Sequence, residues 1–192
     1  LSLDRGESRL LEEVKEIVTR GYVKSVIIQL PLPAQIRSKV LDIIPVEKDI
    51  DLLSSTKQRA YYSGDFSLCS PTVRACEYFI HSIRSHSNIG RIIVVGGGFL
   101  VGKPIDFYLN SHDFKSNILE DYRVGTSLST DLLILSAGIP NLVSGQDISA
   151  GCNVIDFGSS IVDGKTVGDL NMTSEISHLG TISPSPGGMG PL

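Results

Sequence analysis

The sequence feature that most constrains the fold is a short apolar run that leads into three consecutive glycines. Residues 92–95 have the β-branched composition of a buried strand, and Gly96, Gly97 and Gly98 follow them directly. A helix is predicted to begin near residue 102. A strand, a glycine turn and a helix in this order present backbone N–H groups and a helix N-terminus to a pyrophosphate. The pattern favours a dinucleotide-binding α/β domain over a tight strand-to-helix turn without a ligand.

The spacing of these glycines separates two kinds of phosphate site. Gly96, Gly98 and Gly102 give the pattern G-x-G-x-x-x-G, one residue longer than the common dinucleotide fingerprint. Residues 97–103 also match most of a P-loop, but Pro104 replaces the Ser or Thr that would hold Mg²⁺. We therefore exclude a nucleoside-triphosphate site and keep the dinucleotide interpretation.

Further strand-like segments after the glycine turn indicate a parallel sheet. Apolar runs at residues 114–119, 132–136 and 154–157 are separated by segments long enough for helical crossovers. An Asp-Gly pair within residues 161–167 predicts a tight hairpin. The predicted fold class is α/β, with a doubly wound parallel-sheet, Rossmann-like cofactor domain over residues 70–182.

The chain before this domain is predicted to form a smaller, incomplete α/β substrate domain. It contains two amphipathic patterns and one β-branched run that two prolines end. The domain covers residues 1–69, with a helix over 7–20 that Gly21 ends, a buried strand over 23–30 and a second helix over 36–44.

Three further segments complete the predicted organisation. The polar segment 48–64 is predicted to be a loop or crossover. Ser70 and Pro71 are predicted to start a helix, because serine is a favoured N-cap and proline suits the first helical position. Residues 183–192 are rich in proline and glycine, so they are predicted to return to the substrate domain as an irregular segment that approaches a ligand closely.

Composition excludes several classes of protein. Seventeen basic and 21 acidic residues give a net charge of −4 without a dense basic block, so no nucleic-acid partner is expected. No apolar run is long enough for a membrane span, and the first residues do not resemble a secretory signal. The three cysteines form no C-x-x-C pair and the four histidines are scattered, which predicts a cytoplasmic protein with buried thiols and without a metal.

Polar side chains near the predicted strand over 23–30 are candidate ligand-binding residues. Gln29 lies at the exit of this otherwise apolar strand. Asp49 and Asp51 are two residues apart, so they lie on one side of the chain if it is extended. In isolation, a capped loop is the better explanation of the two aspartates.

A second polar group follows the predicted strand over 114–119. An acidic residue here, Glu120 or Asp121, can accept a hydrogen bond from the ribose 2′-hydroxyl of NAD, whereas Arg123 can bind the 2′-phosphate of NADP. Solvated loop charges explain these residues equally well. The local sequence therefore leaves the choice of cofactor open.

Taken together and in order, six motifs resemble those of the methylenetetrahydrofolate dehydrogenase/cyclohydrolase family. They extend over nearly the whole chain, which makes the match more specific than any single motif. The similar segments are residues 29–33 (Q-L-P-L-P), 45–51 (P-V-E-K-D-I-D), 69–71 (C-S-P), 94–104 (V-V-G-G-G-F-L-V-G-K-P), 154–169 (V-I-D-F-G, a hairpin, then V-G-D) and 182–191 (I-S-P-S-P-G-G-M-G-P).

The resemblance implies an enzyme that oxidises 5,10-methylenetetrahydrofolate with NAD(P)+ and hydrolyses the methenyl product to 10-formyltetrahydrofolate. It implies NADP as the cofactor, with NAD as the alternative, and a homodimer. Gln29 would hold and tune the catalytic lysine, and Asp51 would bind the pterin. The other implied roles are substrate binding by Leu30, Pro31, Pro186, Gly187 and Gly188, phosphate binding by Gly96, Gly97 and Gly98, ribose binding by Asp121 with Arg123 in reach of a 2′-phosphate, and nicotinamide binding by Ser159.

The sequence departs from the family pattern at several positions. Gly97-Gly98 replaces an Arg-Ser pair, Leu52 replaces a glycine, and Ser159-Ser160 replaces Ile-Asn. The Y-x-x-x-K segment that carries the family's catalytic lysine has no counterpart in this sequence, and we expect it ahead of Leu1. The alternatives are a non-catalytic dinucleotide-binding fragment or pseudoenzyme, or a different Rossmann oxidoreductase, which leaves the two proline-rich motifs unexplained.

Overall fold

The chain forms two compact units in the computed structural model, which describes residues 6–190. They are Leu1–Pro71 and Thr72–Leu192, called here the N-terminal and C-terminal units. None of the described helices is long and apolar enough to cross a lipid bilayer.

The two predicted helices of the N-terminal unit are present, and they pack against each other. They are α1 (Glu7–Thr19) and α2 (Ala34–Ile43). The apolar side chains of each helix recur at a spacing of three or four residues, which puts them on one face. The shared core contains Leu10, Val14 and Val18 from α1 and Ile36 and Val40 from α2.

The predicted strand over residues 23–30 is wrong as a regular strand. Its only β-bridge within the described residues is a parallel one between Val26 and Asp49, where the Val26 N–H donates to the Lys48 carbonyl at 2.8 Å. The segment still alternates as a strand does, because Val26 and Ile28 pack on the core while Ile27 is 67% exposed. A regular ladder requires a continuous partner, and the bridge supplies one position only. The predicted left-handed stop at Gly21 is also wrong, because α1 ends at Thr19 and its C-cap residue, Arg20, is extended.

The predicted loop over residues 48–64 is also wrong, because it contains helix α3 (Ser55–Tyr62). A single 3-10 turn, Val46–Lys48, precedes it. The Ser54 hydroxyl caps α3 by accepting a hydrogen bond from the Lys57 N–H at 3.4 Å. Only Lys57 and Tyr61 of this helix are buried, so the sequence carries no apolar stripe to reveal it.

The C-terminal unit is built on five parallel strands in the order β2-β1-β3-β5-β9, which confirms the predicted Rossmann-like sheet. Helix α4 (Pro71–Ile83) begins at the predicted proline, and α5 (Gly102–Ser111) connects β1 to β2. The strands in chain order are β1 (Arg91–Val95), β2 (Lys115–Leu119), β3 (Leu132–Leu135), β4 (Val143–Ser144), β5 (Asn153–Asp156), β6 (Ser160–Val162), β7 (Lys165–Val167), β8 (Leu170–Asn171) and β9 (Ile182–Ser183).

The strand order reverses direction at β1. The chain crosses from β1 to β2 on one side and continues through β3, β5 and β9 on the other. A reversal of this kind opens a crevice at the carboxyl ends of the two strands that flank it, and open α/β sheets bind their ligands there. The fold therefore places a binding crevice between the exits of β1 and β3.

One face of the sheet is covered without an α-helix, contrary to the crossovers predicted after β2 and β3. Apart from β3, the described residues 120–152 contain only the short strand β4 and a 3-10 turn, Gly145–Asp147. Buried apolar side chains on these irregular segments close the core instead of a helix. The core of this face contains Ile93, Val95, Leu128, Leu133, Leu135, Val143, Ile148, Cys152, Val154 and Leu170.

The Asp-Gly hairpin is confirmed. Strands β6 and β7 pair antiparallel through Ser160–Val167. Asp163 and Gly164 have φ angles of 49° and 75° at its turn. Two successive left-handed residues are what a primed hairpin turn requires, and they explain why Asp-Gly occurs at this position.

Candidate functional site

The glycine turn after β1 is packed too closely for side chains at two positions. Gly96 has a φ of 93°, and a β-carbon on it would lie 2.7 Å from the Cα of Ala137 at the exit of β3. A β-carbon on Gly102, the first residue of α5, would lie 2.0 Å from the carbonyl oxygen of Gly96. The Ser136 hydroxyl donates to the same carbonyl at 2.7 Å. The turn is therefore fixed against both the helix that follows it and the neighbouring strand exit.

The far end of this turn is open and suits an anion. A β-carbon on Gly98 would meet no atom within 4 Å, and Gly98 is exposed. Helix α5 has no side-chain N-cap and no acidic residue in its first turn. Its N-terminus therefore keeps the partial positive charge that binds phosphate groups. These residues fit the pyrophosphate of a dinucleotide.

The exit of β2 places an acidic side chain against the glycine turn. The Gly96 N–H donates to the Leu119 carbonyl at 3.1 Å, so the residue after β2 lies beside the turn. A β-carbon on Gly97 would lie 2.3 Å from Oε1 of Glu120. Asp121 and Arg123 follow in the exposed loop. Of the two acidic residues considered from the sequence, Glu120 is the one that contacts the turn.

A buried carboxylate shapes the loop after β3. Asp169 has no exposed surface, and its side chain accepts hydrogen bonds from three successive backbone N–H groups. The donors are Ala137 at 2.7 Å, Gly138 at 3.0 Å and Ile139 at 2.8 Å. Burial raises the pKa of Asp169, while these three hydrogen bonds oppose the rise. Asp169 thus fixes the backbone that Gly96 contacts.

A second buried carboxylate, Asp156 at the end of β5, holds Asp169 in turn. Its side chain accepts from the N–H groups of Gly158 at 2.8 Å, Asp169 at 3.2 Å and Leu170 at 2.9 Å. Burial raises the pKa of Asp156, and the nearby Asp169 charge raises it further, while the three hydrogen bonds lower it. The exits of β3 and β5 and the start of β8 are therefore joined by two carboxylates.

Ser159 and the proline-glycine tail lie at the same edge of the sheet. Ser159 is exposed and follows β5. The tail follows β9, which pairs in parallel with β5. A β-carbon on Gly168 would lie 2.8 Å from the Ser185 carbonyl, so the tail passes close to the Asp156–Asp169 pair. The tail continues through Pro186, Gly187 with a φ of 97°, and Gly188, whose β-carbon would lie 2.3 Å from the Pro184 carbonyl.

In the N-terminal unit, the predicted substrate residues Gln29, Leu30 and Pro31 follow the extended segment, and the chain bends at Leu30. Gln29 is exposed, and its amide donates to the Leu30 carbonyl at 3.3 Å. The Leu30–Pro31 peptide is cis. The Gln29 side chain thus remains accessible at the end of the extended segment.

The two aspartates of the Asp-Ile-Asp segment have different environments. Asp49 is 1% exposed and its carboxylate accepts from the N–H groups of Leu53 at 3.1 Å and Ser54 at 2.8 Å, ahead of α3. Asp51 is half-buried, and the described structure gives its carboxylate no hydrogen-bond donor. Desolvation raises the pKa of Asp51, and the charge of Asp49 raises it further. Asp49 is structural, whereas Asp51 is available to a ligand.

Comparison with known proteins shows which family has this fold and these motifs. Residues 70–192 match the family model of the tetrahydrofolate dehydrogenase/cyclohydrolase NAD(P)-binding domain. The bifunctional protein FolD of Hydrogenobaculum sp. (strain Y04AAS1) is 32% identical over 197 residues, which cover 98% of this chain and 70% of that protein. The chain belongs to the tetrahydrofolate dehydrogenase/cyclohydrolase family. The resemblance found in the six sequence motifs is thereby confirmed.

Two solved structures support the same assignment. The methylenetetrahydrofolate dehydrogenase-cyclohydrolase of Trypanosoma brucei, solved with NADP cofactor and inhibitor, matches with a TM-score of 0.81 and 28% identity. The match covers 97% of this chain and 68% of that one. A 5,10-methylenetetrahydrofolate dehydrogenase from the silkworm Bombyx mori matches with a TM-score of 0.83 and 26% identity over 98% and 69% of the two chains. The family consists of NAD(P)-dependent enzymes.

The structure gives physical reasons for two departures from the family motifs. Leu52, which replaces a glycine, has a φ of 55°, so this position requires the left-handed conformation that glycine adopts without strain. Gly97 replaces an arginine, and Glu120 lies where the β-carbon of a side chain would begin. The second departure leaves a carboxylate, rather than a cation, beside the glycine turn.

Sequence reasoning missed the residues that hold the site together. Asp156 and Asp169 lie within the quoted V-I-D and V-G-D motifs, and Ser136 ends a predicted strand. Each acts on backbone groups that are distant in sequence, so no local pattern reveals the partner. The only available signal was an aspartate at the end of an otherwise apolar strand.

Proposed function

We propose that this chain contributes to the oxidation of 5,10-methylenetetrahydrofolate to 5,10-methenyltetrahydrofolate with NAD(P)+, and to hydrolysis of the product to 10-formyltetrahydrofolate. The observation that carries the proposal is the open glycine turn at the strand-order reversal of a family NAD(P)-binding domain. The complex of the Trypanosoma brucei relative with NADP supports NADP as the cofactor, and NAD is the alternative.

The C-terminal unit would hold the cofactor mainly through its backbone. Gly96, Gly97 and Gly98 would surround the phosphates, Asp121 and Arg123 would lie near the adenosine ribose, and Ser159 near the nicotinamide. When bound, the cofactor supplies the acceptor for a hydride. The chain supplies rigidity, because Asp169 fixes the backbone beside Gly96 and removes the need to reorganise it on binding.

Asp51 would bind the polar edge of the pterin. A half-buried carboxylate without a protein donor pairs well with a donor-rich ring, since it has unmet acceptor capacity. Burial and the charge of Asp49 raise the pKa of Asp51. As the pH is lowered, Asp51 should therefore become protonated, and folate binding should weaken, at a higher pH than for an ordinary aspartate. Gln29, Leu30 and Pro31 of the N-terminal unit would also contact the folate.

A second candidate function is dinucleotide binding without catalysis. The two functions differ in one requirement, the catalytic lysine that the family carries in a Y-x-x-x-K segment. The full-length gene product separates the two, since the enzyme requires a Tyr and a Lys four residues apart ahead of Leu1. The homodimer and the cytoplasmic location stay predictions.

The test of the proposed function is folate turnover by the full-length protein and its Asp51→Asn variant. We expect kcat/KM for methylenetetrahydrofolate to fall about tenfold or more, because a charge-assisted hydrogen bond is lost. The matched control is Glu47→Gln, which removes one negative charge from an exposed residue of the same segment. Equal kcat/KM values for wild type and Asp51→Asn would remove Asp51 from the site. Dinucleotide binding without turnover by the wild type would leave the non-catalytic function.

A further inference from the structure

Glu120 has an unusual position at the exit of β2. It is exposed, yet its carboxylate lies against the glycine turn, with Oε1 2.3 Å from where a β-carbon of Gly97 would stand. The described residues provide this carboxylate with neither a hydrogen bond nor an ion pair. A carboxylate without these partners retains its capacity to accept hydrogen bonds from a ligand.

The position follows from the register of the sheet. Val95 and Leu119, the last residues of β1 and β2, are paired, and the Gly96 N–H donates to the Leu119 carbonyl at 3.1 Å. The ends of the two strands therefore lie side by side, and Glu120 reaches the turn at Gly97. Only glycine at position 97 leaves room for the Glu120 side chain in this conformation. Gly97 and Glu120 thus form a complementary pair.

The end of the second strand is where dinucleotide folds read the 2′ position of the adenosine ribose. A carboxylate there accepts a hydrogen bond from a 2′-hydroxyl and repels a 2′-phosphate. Gly97 has no side chain and therefore places no cation beside the Glu120 carboxylate that could attract such a phosphate. Both members of the Gly97–Glu120 pair therefore act in the same direction.

We propose that Glu120, seated against Gly97, reads the 2′ position of the adenosine ribose and shifts the cofactor preference of this chain from NADP+ toward NAD+. The inference rests on the proposed function, because it concerns the same cofactor site. It assigns to Glu120 the role that the family resemblance gave to Asp121. Arg123, three residues further on, acts in the opposite direction and keeps NADP+ as a ligand.

The test is a set of dissociation constants for NAD+ and NADP+, measured by calorimetry on the full-length protein without folate. Glu120→Gln keeps the shape of the side chain and removes its charge. We expect the ratio of the NADP+ constant to the NAD+ constant to fall about fivefold or more, because a like charge near the 2′-phosphate is removed. Raising the ionic strength should reduce the difference between wild type and Glu120→Gln, since salt screens this repulsion.

Three further variants make the measurement specific. Asp113→Asn removes an exposed negative charge near the opposite end of β2, at a φ of 63° that asparagine tolerates, and should leave the ratio unchanged. Gly97→Ala should displace the Glu120 carboxylate and lower the ratio as Glu120→Gln does. Asp121→Asn should change the ratio less than Glu120→Gln.

The outcomes are distinguishable. A ratio that changes in Asp121→Asn but not in Glu120→Gln would overturn the inference and leave the proposed function intact. The same holds if both acidic variants match wild type. Failure of the wild-type protein to bind either dinucleotide would overturn the proposed function together with the inference.

Discussion

At the scale of single residues, burial separates the three cysteines. Cys76 and Cys152 are buried, and desolvation raises the pKa of each thiol to about 12, whereas Cys69 is only partly buried. The thiolate is the reactive form, so the two buried thiols should be inert. We expect a thiol reagent at pH 8 to modify Cys69 alone in the native protein and all three residues after unfolding. Peptide mass mapping checks this, and labelled Cys76 in the folded protein would contradict it.

The buried carboxyl group of Asp156 should make the stability of the protein depend on pH. Its pKa is raised by burial, so between its unfolded and folded pKa values the folded state binds more protons than the unfolded state. Stability from this group is therefore complete below the unfolded value and is lost as the pH rises through the folded one. In Asp156→Asn this dependence is absent. Relative to that variant, the free energy of unfolding of the wild type should fall as the pH rises from 3 to neutrality.

Urea unfolding at a series of pH values measures this difference. If the free energy of unfolding of the wild type rose with pH relative to that of Asp156→Asn, the expected sign would be contradicted. It would mean that the hydrogen bonds from Gly158, Asp169 and Leu170 stabilise the carboxylate more than burial destabilises it.

Among the functional residues, those with a local signature could be predicted. The spacing of Gly96 and Gly102 alone predicts close contacts at these positions, and the structure shows why a side chain is excluded there. Asp49 and Asp51 could be identified as candidates, but the sequence did not show which of them is structural. That distinction depends on the two N–H groups that donate to Asp49. Asp169 had no local signature, since its three partners lie about 30 residues earlier.

At the scale of elements, the junction of β1, the glycine turn and α5 carries a sharp prediction. In Gly102→Ala the new methyl group would stand 2.0 Å from the Gly96 carbonyl oxygen, a backbone atom that cannot rotate away. We expect a loss of about 1–3 kcal/mol in stability from overpacking, together with weaker dinucleotide binding because the turn must move. Thermal unfolding and calorimetry measure the two effects.

The matched control for this junction is Gly98→Ala. Its methyl group would meet no atom within 4 Å, so the stability of the protein should be unchanged. If Gly98→Ala destabilised the fold as much as Gly102→Ala, the effect would come from glycine flexibility in the turn rather than from the contact with Gly96.

Elements with a strong apolar pattern were predicted, and elements held by distant partners were not. Strand β1 and helix α4 bury most of their apolar side chains, whereas α1 buries Leu10, Val14 and Val18 and leaves Ile17 36% exposed. Helix α3 was missed because its buried residues are a lysine and a tyrosine, and its cap depends on Ser54 and Asp49. The β4–β8 pair was missed because two residues in each strand are too few to show a period.

At the scale of the whole molecule, the two compact units should respond separately to mutation. Leu10 is 6% exposed in the core of the N-terminal unit, so Leu10→Ala should cost about 2–5 kcal/mol there. The dinucleotide site lies in the C-terminal unit, and its dissociation constant should be unchanged at temperatures where that unit remains folded.

Leu133→Ala is the matched substitution in the sheet of the C-terminal unit, where Leu133 has no exposed surface. It should lower stability by a similar amount and weaken dinucleotide binding as well. Calorimetry with either dinucleotide, combined with thermal unfolding, compares the two variants. Equal loss of binding in both would show that the units fold as one cooperative body.

The strand pairing of the C-terminal unit predicts the order in which this unit forms. Strand β1, helix α5 and strand β2 are consecutive and make local contacts, whereas β4 must wait for β8, and β5 for β9. Contacts between distant residues form slowly, because a long loop loses entropy before any contact compensates for it. We expect β1, α5 and β2 to form an early nucleus. A ribosome-bound chain that has not yet reached residue 182 would expose the open edge of β5, where a chaperone or a second nascent chain can pair.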